Sequence, residues 1–262
     1  MAGAKILPNT TSLALISRPA SVLFDLDGVL LDTEPINAAI WLKTSAEYGL
    51  QLNQQQLMSL RGRRRSECIE LMRCWIESAG YRAITTESIL ATRAVHANEL
   101  FDQINPIEGA QELVSYCNRV AIPMALVTSS TEQSVMQKCK AHQWLSQITV
   151  RIYGNDPELR SGKPHPHIYK LAAKRIGVAP ALCWVLEDSP AGVESAARAG
   201  CQVIALPPKD LTPTLLNQAY SDADLIITGL DQALNILDMH YSLIDNVEPQ
   251  MKPPANILSA EI

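Results

Sequence analysis

The sequence has little excess of either charge. Lys and Arg number 22 against 27 Asp and Glu, a net of −5 at pH 7. A general nucleic-acid binder needs a basic surface to meet phosphate backbones, so that class is excluded. Long apolar runs are missing as well, and none approaches the roughly 18 residues that span a bilayer. Near the N-terminus, SLALIS is too short for a signal peptide, with Lys5 the only cation before it. The six cysteines (Cys68, Cys74, Cys117, Cys139, Cys183, Cys201) include no CxxC pair, which speaks against a zinc ribbon or a thioredoxin-like motif. A chain of this size needs no disulfides, so they read as reduced thiols in a reducing compartment. A soluble, cytoplasmic protein is expected. Low hydrophobicity with high net charge is absent, which excludes disorder for the bulk of the chain. No internal repeat or low-complexity segment occurs.

What is present is ordinary globular material. Hydrophobic residues make up 47% and charged residues 19% of 262 positions, enough for a core. That length exceeds a typical domain of roughly 150 residues without reaching two. Residues 1–19 read as a polar extension. VLFDL, residues 22–26, begins as a short apolar run of the kind that forms a buried strand. Residues 36–105 then show apolar positions at helical spacing, as in Ile36, Ala39 and Ile40 or Cys68, Ile69, Met72, and predict several helices without strands. After Pro106, helical stretches alternate with apolar runs ending at Val127, Ile152, Leu186, Leu206 and Ile227. Strands separated by helices of roughly 10–15 residues predict an α/β, Rossmann-like parallel sheet with helices on both faces. The tail from 241 to 262 is polar and has no usable period.

Chemistry concentrates at predicted strand ends, where open α/β sheets bind ligands. DLDGVLLDT places Asp25 and Asp27 after the first strand, with Gly28 freeing the backbone to turn. Two acids there repel each other unless a cation neutralises them. Alone, DxDG arises by chance in about one chain of this length in twenty, and a turn cluster would explain it equally. LVTSS places Thr128, Ser129 and Ser130 before a helix, either an anion cradle or an ordinary N-cap. GKPHPHIY contributes Lys163, and LEDSPAGV contributes Glu187 and Asp188. Together these supply carboxylates, one ammonium and hydroxyls. Oxygen-only donors favour Mg²⁺, and the set matches what phosphoryl transfer needs.

DLDGVLLDT, LVTSS, GKPHPHIY and LEDSPAGVESAARAG resemble the four ordered motifs of the haloacid dehalogenase-like hydrolase superfamily. The spacing is similar to that of its capped sugar-phosphate phosphatases, phosphoglycolate phosphatases and β-phosphoglucomutases. The resemblance implies a Rossmann-like catalytic core from 20–35 and 106–240, split by an all-helical cap at 36–105. It implies Asp25 as the nucleophile that becomes an aspartyl-phosphate and Asp27 as general acid and base. Thr128, Ser129 and Lys163 would then hold the phosphoryl group. Mg²⁺ would sit on Asp25, the Asp27 carbonyl and Asp188, with Glu187 reaching it through water or from behind. Asp27 argues against the dehalogenase branch, which lacks that residue.

In the expected cap, LRGRRRSE gathers Arg61, Arg63, Arg64 and Arg65 around Gly62. Most of these read as a solvated basic turn. Gly62 and Arg65 best match a family position that faces the active site, with Arg63 second, and would meet a second anionic or hydroxyl-rich part of the substrate. Glu34 would either bind sugar hydroxyls or cap the first cap helix. His165 and His167, two apart and flanked by prolines, do not make a helical metal pair. The expected activity is Mg-dependent hydrolysis of a small phosphorylated metabolite, a sugar phosphate first, by a monomer with no membrane or nucleic-acid partner. The alternative is a phosphomutase of the β-phosphoglucomutase type. Those mutases carry a histidine where this chain has Asn37, which favours hydrolysis. An inert binding module would be expected to have lost Asp25, Asp27, Lys163 or Asp188, and all four are present.

Overall fold

A computed structural model describes residues 16–60, 65–81 and 84–245. Arg61, Gly62, Arg63 and Arg64 lie outside the described residues, so the reading of Gly62 has no structural counterpart. The chain opens with β1 (Ser21–Phe24) and β2 (Leu31–Asp32). Four helices follow: α1 (Glu34–Ala46), α2 (Gln54–Leu60), α3 (Arg65–Ser78) and α4 (Thr86–Leu100). A short turn of 3₁₀ helix, Phe101–Gln103, leads to β3 (Asn105–Pro106). Then come α5 (Ala110–Arg119), β4 (Met124–Val127), α6 (Glu132–Cys139), β5 (Val150–Ile152) and α7 (His167–Ile176). The remainder is β6 (Cys183–Glu187), α8 (Pro190–Ala199), β7 (Gln202–Ala205), α9 (Pro213–Ala219), β8 (Leu225–Ile226) and α10 (Leu230–Asp245).

The main sheet is parallel throughout, in the order β5-β4-β1-β6-β7-β8. Every residue of β1, β4 and β6 is buried. Helices on both faces of a parallel sheet demand this, and it explains the unbroken apolar runs in the sequence. Side chains alternate between the faces. Val22, Phe24, Leu126 and Leu186 pack with α5 and α10, whereas Leu23, Ala125, Val127 and Val185 pack with α7 and α8. β1 pairs with β4 on one side and β6 on the other. The strand order therefore reverses at β1, and a crevice opens at the carboxyl ends there.

The four helices α1–α4 form a block between β2 and β3, which pair antiparallel (Leu31 with Pro106, Asp32 with Asn105). The block has its own apolar centre, including Trp41, Leu60, Ile69, Met72, Ile76 and Ile89. Among the described residues, no helix is long and apolar enough to cross a membrane.

Three features differ from the expectations. The ribbon β2–β3 was not anticipated, because two-residue strands carry no period. Helix α9 also was not; Thr212 caps it and Pro213 starts it, but it buries no residue. Helix α10 continues past Tyr241, whose hydroxyl donates to the Pro19 carbonyl at 2.8 Å. Nearby, Trp184 Nε1 donates to the Ser17 carbonyl at 2.8 Å and Ile16 is buried, so the last residues of the N-terminal segment pack onto the core.

Candidate active site

Each expected core-motif residue arrives at the crevice through a local device. Asp25 follows β1 directly, its N–H bonded to the Leu186 carbonyl at 3.1 Å. Gly28 adopts φ +88°, a left-handed conformation that glycine tolerates. Close approach is the second reason for glycine: a Cβ there would lie 2.2 Å from Asp188 Oδ2. Thr131 caps α6 by accepting from Ser134 N–H, and Ser189 caps α8 by accepting from Gly192 N–H. Both caps turn hydroxyl-bearing loops toward the crevice.

Asp25, Asp27, Thr128, Ser129, Lys163 and Asp188 line one cavity of about 1230 Å³, and Glu34 and Arg65 line it from the helical block. Asp25 is 5% exposed and accepts from Lys163 Nζ. Lys163 also donates to Glu187 Oε1 at 2.5 Å and to the Val127 carbonyl at 3.2 Å. The ammonium thus bridges the ends of β1, β4 and β6. Thr128 is buried, and its Oγ1 accepts from Ser130 N–H at 3.0 Å.

Burial, with the charges of Glu187 and Asp27, pushes Asp25 up to about 7 against the pull of Lys163. Burial also opposes the charge of Lys163, but Asp25 and Glu187 outweigh it and hold the ammonium above its ordinary value. Asp188 is pushed well above the usual carboxylate range by burial and by its neighbours Glu187 and Asp25. Ligand oxygens of Asp25, Glu187 and Asp188 lie within 4.8 Å of one another. Three carboxylates this close, with one shared ammonium, fit a hard cation. Glu187 is the least available of the three. Oε1 also accepts from Tyr169 Oη at 2.6 Å, and Oε2 accepts from Ser189 N–H and Oγ at 3.2 and 3.0 Å. Gly192 permits this seat, since a Cβ there would lie 1.8 Å from Glu187 Oε1.

Three residues at the site, Tyr169, Lys138 and Arg93, were missed by the sequence reading. Tyr169 is fully buried beneath Glu187. Lys138 is 3% exposed and donates to Asp27 Oδ1, while Ser130 Oγ donates to Asp27 Oδ2 at 2.9 Å. Burial pushes Asp27 up, but Lys138 and these hydrogen bonds outweigh it and hold the carboxyl below its ordinary value. Arg93 is 6% exposed and lines the cavity opposite the carboxylates. Its guanidinium lies 4.8 Å over the Trp41 ring, and Nη2 donates to Asn37 Oδ1 at 3.3 Å. Its buried Nε has no hydrogen-bond partner among the described residues. Burial and nearby Arg65 lower Arg93 to about 10. Arg65 itself donates from Nη2 to Ser134 Oγ at 3.2 Å. Glu34 is the first residue of α1, where Thr33 is the N-cap.

Known proteins share both sequence and fold with this chain. Hexitol phosphatase A of Escherichia coli (strain K12) is 32% identical over 212 residues, covering 80% of this chain and 91% of that protein. A fructose-1-phosphate phosphatase of the same organism is 30% identical over 194 residues, covering 72% of this chain and 97% of that one. A β-phosphoglucomutase from Clostridium difficile superposes with a TM-score of 0.69 at 19% identity, covering 87% of this chain and 99% of the other; that likeness is one of fold. Residues 22–206 match the family described as haloacid dehalogenase-like hydrolase. Sequence, fold and the arrangement of the strand ends agree, and the chain belongs to that haloacid dehalogenase-like hydrolase family.

Proposed function

We propose that this protein is a phosphoric monoester hydrolase that acts on a small phosphorylated metabolite, a sugar phosphate first, through an aspartyl-phosphate on Asp25. One observation carries the reading: a buried carboxylate bound to a buried ammonium, Asp25 to Lys163, at the floor of a cavity rimmed by strand-end hydroxyls. Phosphatase relatives that cover most of the chain support it.

Asp25 attacks phosphorus as the bond to the leaving oxygen breaks, and Asp27 gives that oxygen its proton. Water then attacks the acyl phosphate with Asp27 taking its proton, and phosphate is released. Thr128 and Ser129 donate to the phosphoryl oxygens, and Lys163 screens their charge from Asp25. Asp25, Asp188 and the Asp27 carbonyl would hold Mg²⁺, with Glu187 behind them. Bound there, the ion neutralises the carboxylates and the phosphoryl oxygens.

The helical block α1–α4 acts as a cap in this reading, swinging on residues 33–37 and 104–108 to exclude water. Arg65 and Arg93 face the cavity from it. A cation as buried as Arg93, with an unsatisfied Nε and no carboxylate partner among the described residues, suits a substrate with a second anionic or hydroxyl-rich part. Asn37, the position of the mutases' histidine, accepts from Arg93 instead, which supports hydrolysis over phosphoryl return.

The test is a panel of phosphorylated metabolites with Mg²⁺ and with chelator, run on wild type and Asp25→Asn. Phosphate release from wild type alone, requiring Mg²⁺, is expected. Wild-type rates in Asp25→Asn would end the assignment. Conversion of β-glucose 1-phosphate to glucose 6-phosphate with a bisphosphate primer and no free phosphate would replace hydrolysis by mutase activity.

A further inference from the structure

We propose that Lys138 is a positioning residue for Asp27, fixing the direction of its carboxylate and tying that direction to the segment joining the helical block to the core. The inference rests on the reading of Asp27 as general acid and base.

Lys138 lies in the last turn of α6, where a lysine ordinarily points to water and complements the helix dipole. Here it is 3% exposed. Its Nζ binds Asp27 Oδ1 and donates to Ser130 Oγ at 3.0 Å, and Ser130 Oγ donates to Asp27 Oδ2 at 2.9 Å. The three side chains close a ring that holds both oxygens of the ionised carboxylate, the form Asp27 has once its proton is given up. A carboxylate held at both oxygens has one orientation, whereas one held at a single point rotates.

The same ammonium lies 5.8 Å from the centre of the Phe101 ring. Phe101 begins the 3₁₀ turn between α4 and β3. Around Lys138, α6 and the residues after it make further contacts to that region. Gln137 Nε2 donates to Asn98 Oδ1 at 2.8 Å, and His142 Nε2 lies 3.0 Å from the Ile104 carbonyl oxygen. Lys138 is thus at the point where the helical block, its return crossing and Asp27 meet. Lys138 is withdrawn from water while the Asp27 side chain remains 28% exposed, and an ion pair of this kind adds little to a fold, since the cost of desolvating the ammonium offsets the attraction. A role in chemistry accounts for keeping it.

Lys138 neither gives nor takes a proton in this scheme. Asp25 forms the bond to phosphorus, the bond to the leaving oxygen breaks, and the proton for that oxygen comes from Asp27. Misdirecting Asp27 therefore penalises poor leaving groups. A nitrophenolate departs without a proton, whereas a sugar alkoxide does not.

The experiment measures kcat/KM of the full-length protein at saturating Mg²⁺ on p-nitrophenyl phosphate and on the best alkyl phosphate of the panel. Variants are Lys138→Met, Lys138→Arg, Ser130→Ala and Asp27→Asn. General acid catalysis contributes about 10²–10⁴-fold, so Lys138→Met is expected to lower the alkyl phosphate rate about 30-fold or more. The aryl rate should fall less than about threefold, since that leaving group draws little on the acid. Lys138→Arg should recover part of the alkyl rate. Equal losses on both substrates, or none on either, would overturn the proposal. If Lys138→Met fails to fold, Ser130→Ala decides the matter by the same split at about 3–10-fold, the effect of one lost hydrogen bond. An Asp27→Asn variant with equal losses on both substrates overturns the acid–base reading itself, which separates that failure from one confined to Lys138.

Discussion

Gly28 and Asp188 meet across the ends of β1 and β6 with no room for a single added carbon: a Cβ on Gly28 would lie 2.2 Å from Asp188 Oδ2. Gly28→Ala therefore displaces the Asp188 carboxylate and strains a φ of +88°. Misplaced ligands and their supports typically cost 10–100-fold in metal affinity, so Mg²⁺ affinity by calorimetry should fall by roughly that factor. Far-ultraviolet circular dichroism should be unchanged. An unaltered affinity would remove Asp188 from the ion site.

Lys163→Met leaves Asp25 and Glu187 buried without their shared cation. Turnover should be lost. Removing one partner of a buried pair costs about 3–5 kcal/mol, and part of that is relieved when Asp25 takes a proton. Asp25 already sits near about 7, so the loss in urea denaturation should be smaller at acidic than at alkaline pH. A loss independent of pH would contradict the assignment of the buried charge to Asp25.

The carboxylates Asp25 and Asp188 are both raised in the folded protein. The folded chain therefore binds more protons than the unfolded chain between the ordinary carboxylate value and about 7. Stability from these groups is present at low pH and falls as pH rises through that window. An ion that neutralises them should offset the loss, so the rise in Tm on adding Mg²⁺ should grow from acidic to neutral pH. His240 is held below its ordinary value by burial and acts in the opposite sense. It contributes equally with and without the ion and cancels in the difference. A Mg²⁺ effect that is flat with pH would sink this account.

Arg93→Met should raise KM for substrates with a second anionic group and leave others nearly unchanged. Hydrogen bonds to charged groups contribute about 1.5–3 kcal/mol, which corresponds to roughly 10–100-fold in KM. Uniform change across mono- and bis-anionic substrates would show that Arg93 only supports the Trp41 packing.

Much of the fold could be read before any coordinates, because a parallel sheet buried on both faces turns strands into uniform apolar runs. Val22–Phe24, Met124–Val127 and Cys183–Leu186 are the clearest cases. The motif carboxylates were legible for a related reason: polar residues directly after such runs lie at the sheet's carboxyl edge. Lys163 follows no strand directly, since β5 ends at Ile152, and was legible only through the GKPHPHIY motif. Lys138, Tyr169 and Arg93 follow no such rule. Each sits in an ordinary helix, and each owes its role to a contact made far along the chain: Asp27 for Lys138, Glu187 for Tyr169, Asn37 for Arg93. Helical period reports which face is buried, not what is met there. The ribbon β2–β3 escaped because its partners lie on opposite sides of the helical block.

That ribbon has a broader consequence. The helical block leaves and rejoins the core at hydrogen-bonded neighbours, Asp32 and Asn105. To the core, the block is one long surface excursion with its ends already together, and the entropy of closing such an excursion grows only slowly with its length. The helical block can then be lengthened, shortened or exchanged as a cassette while the two ends that join it to the core stay paired.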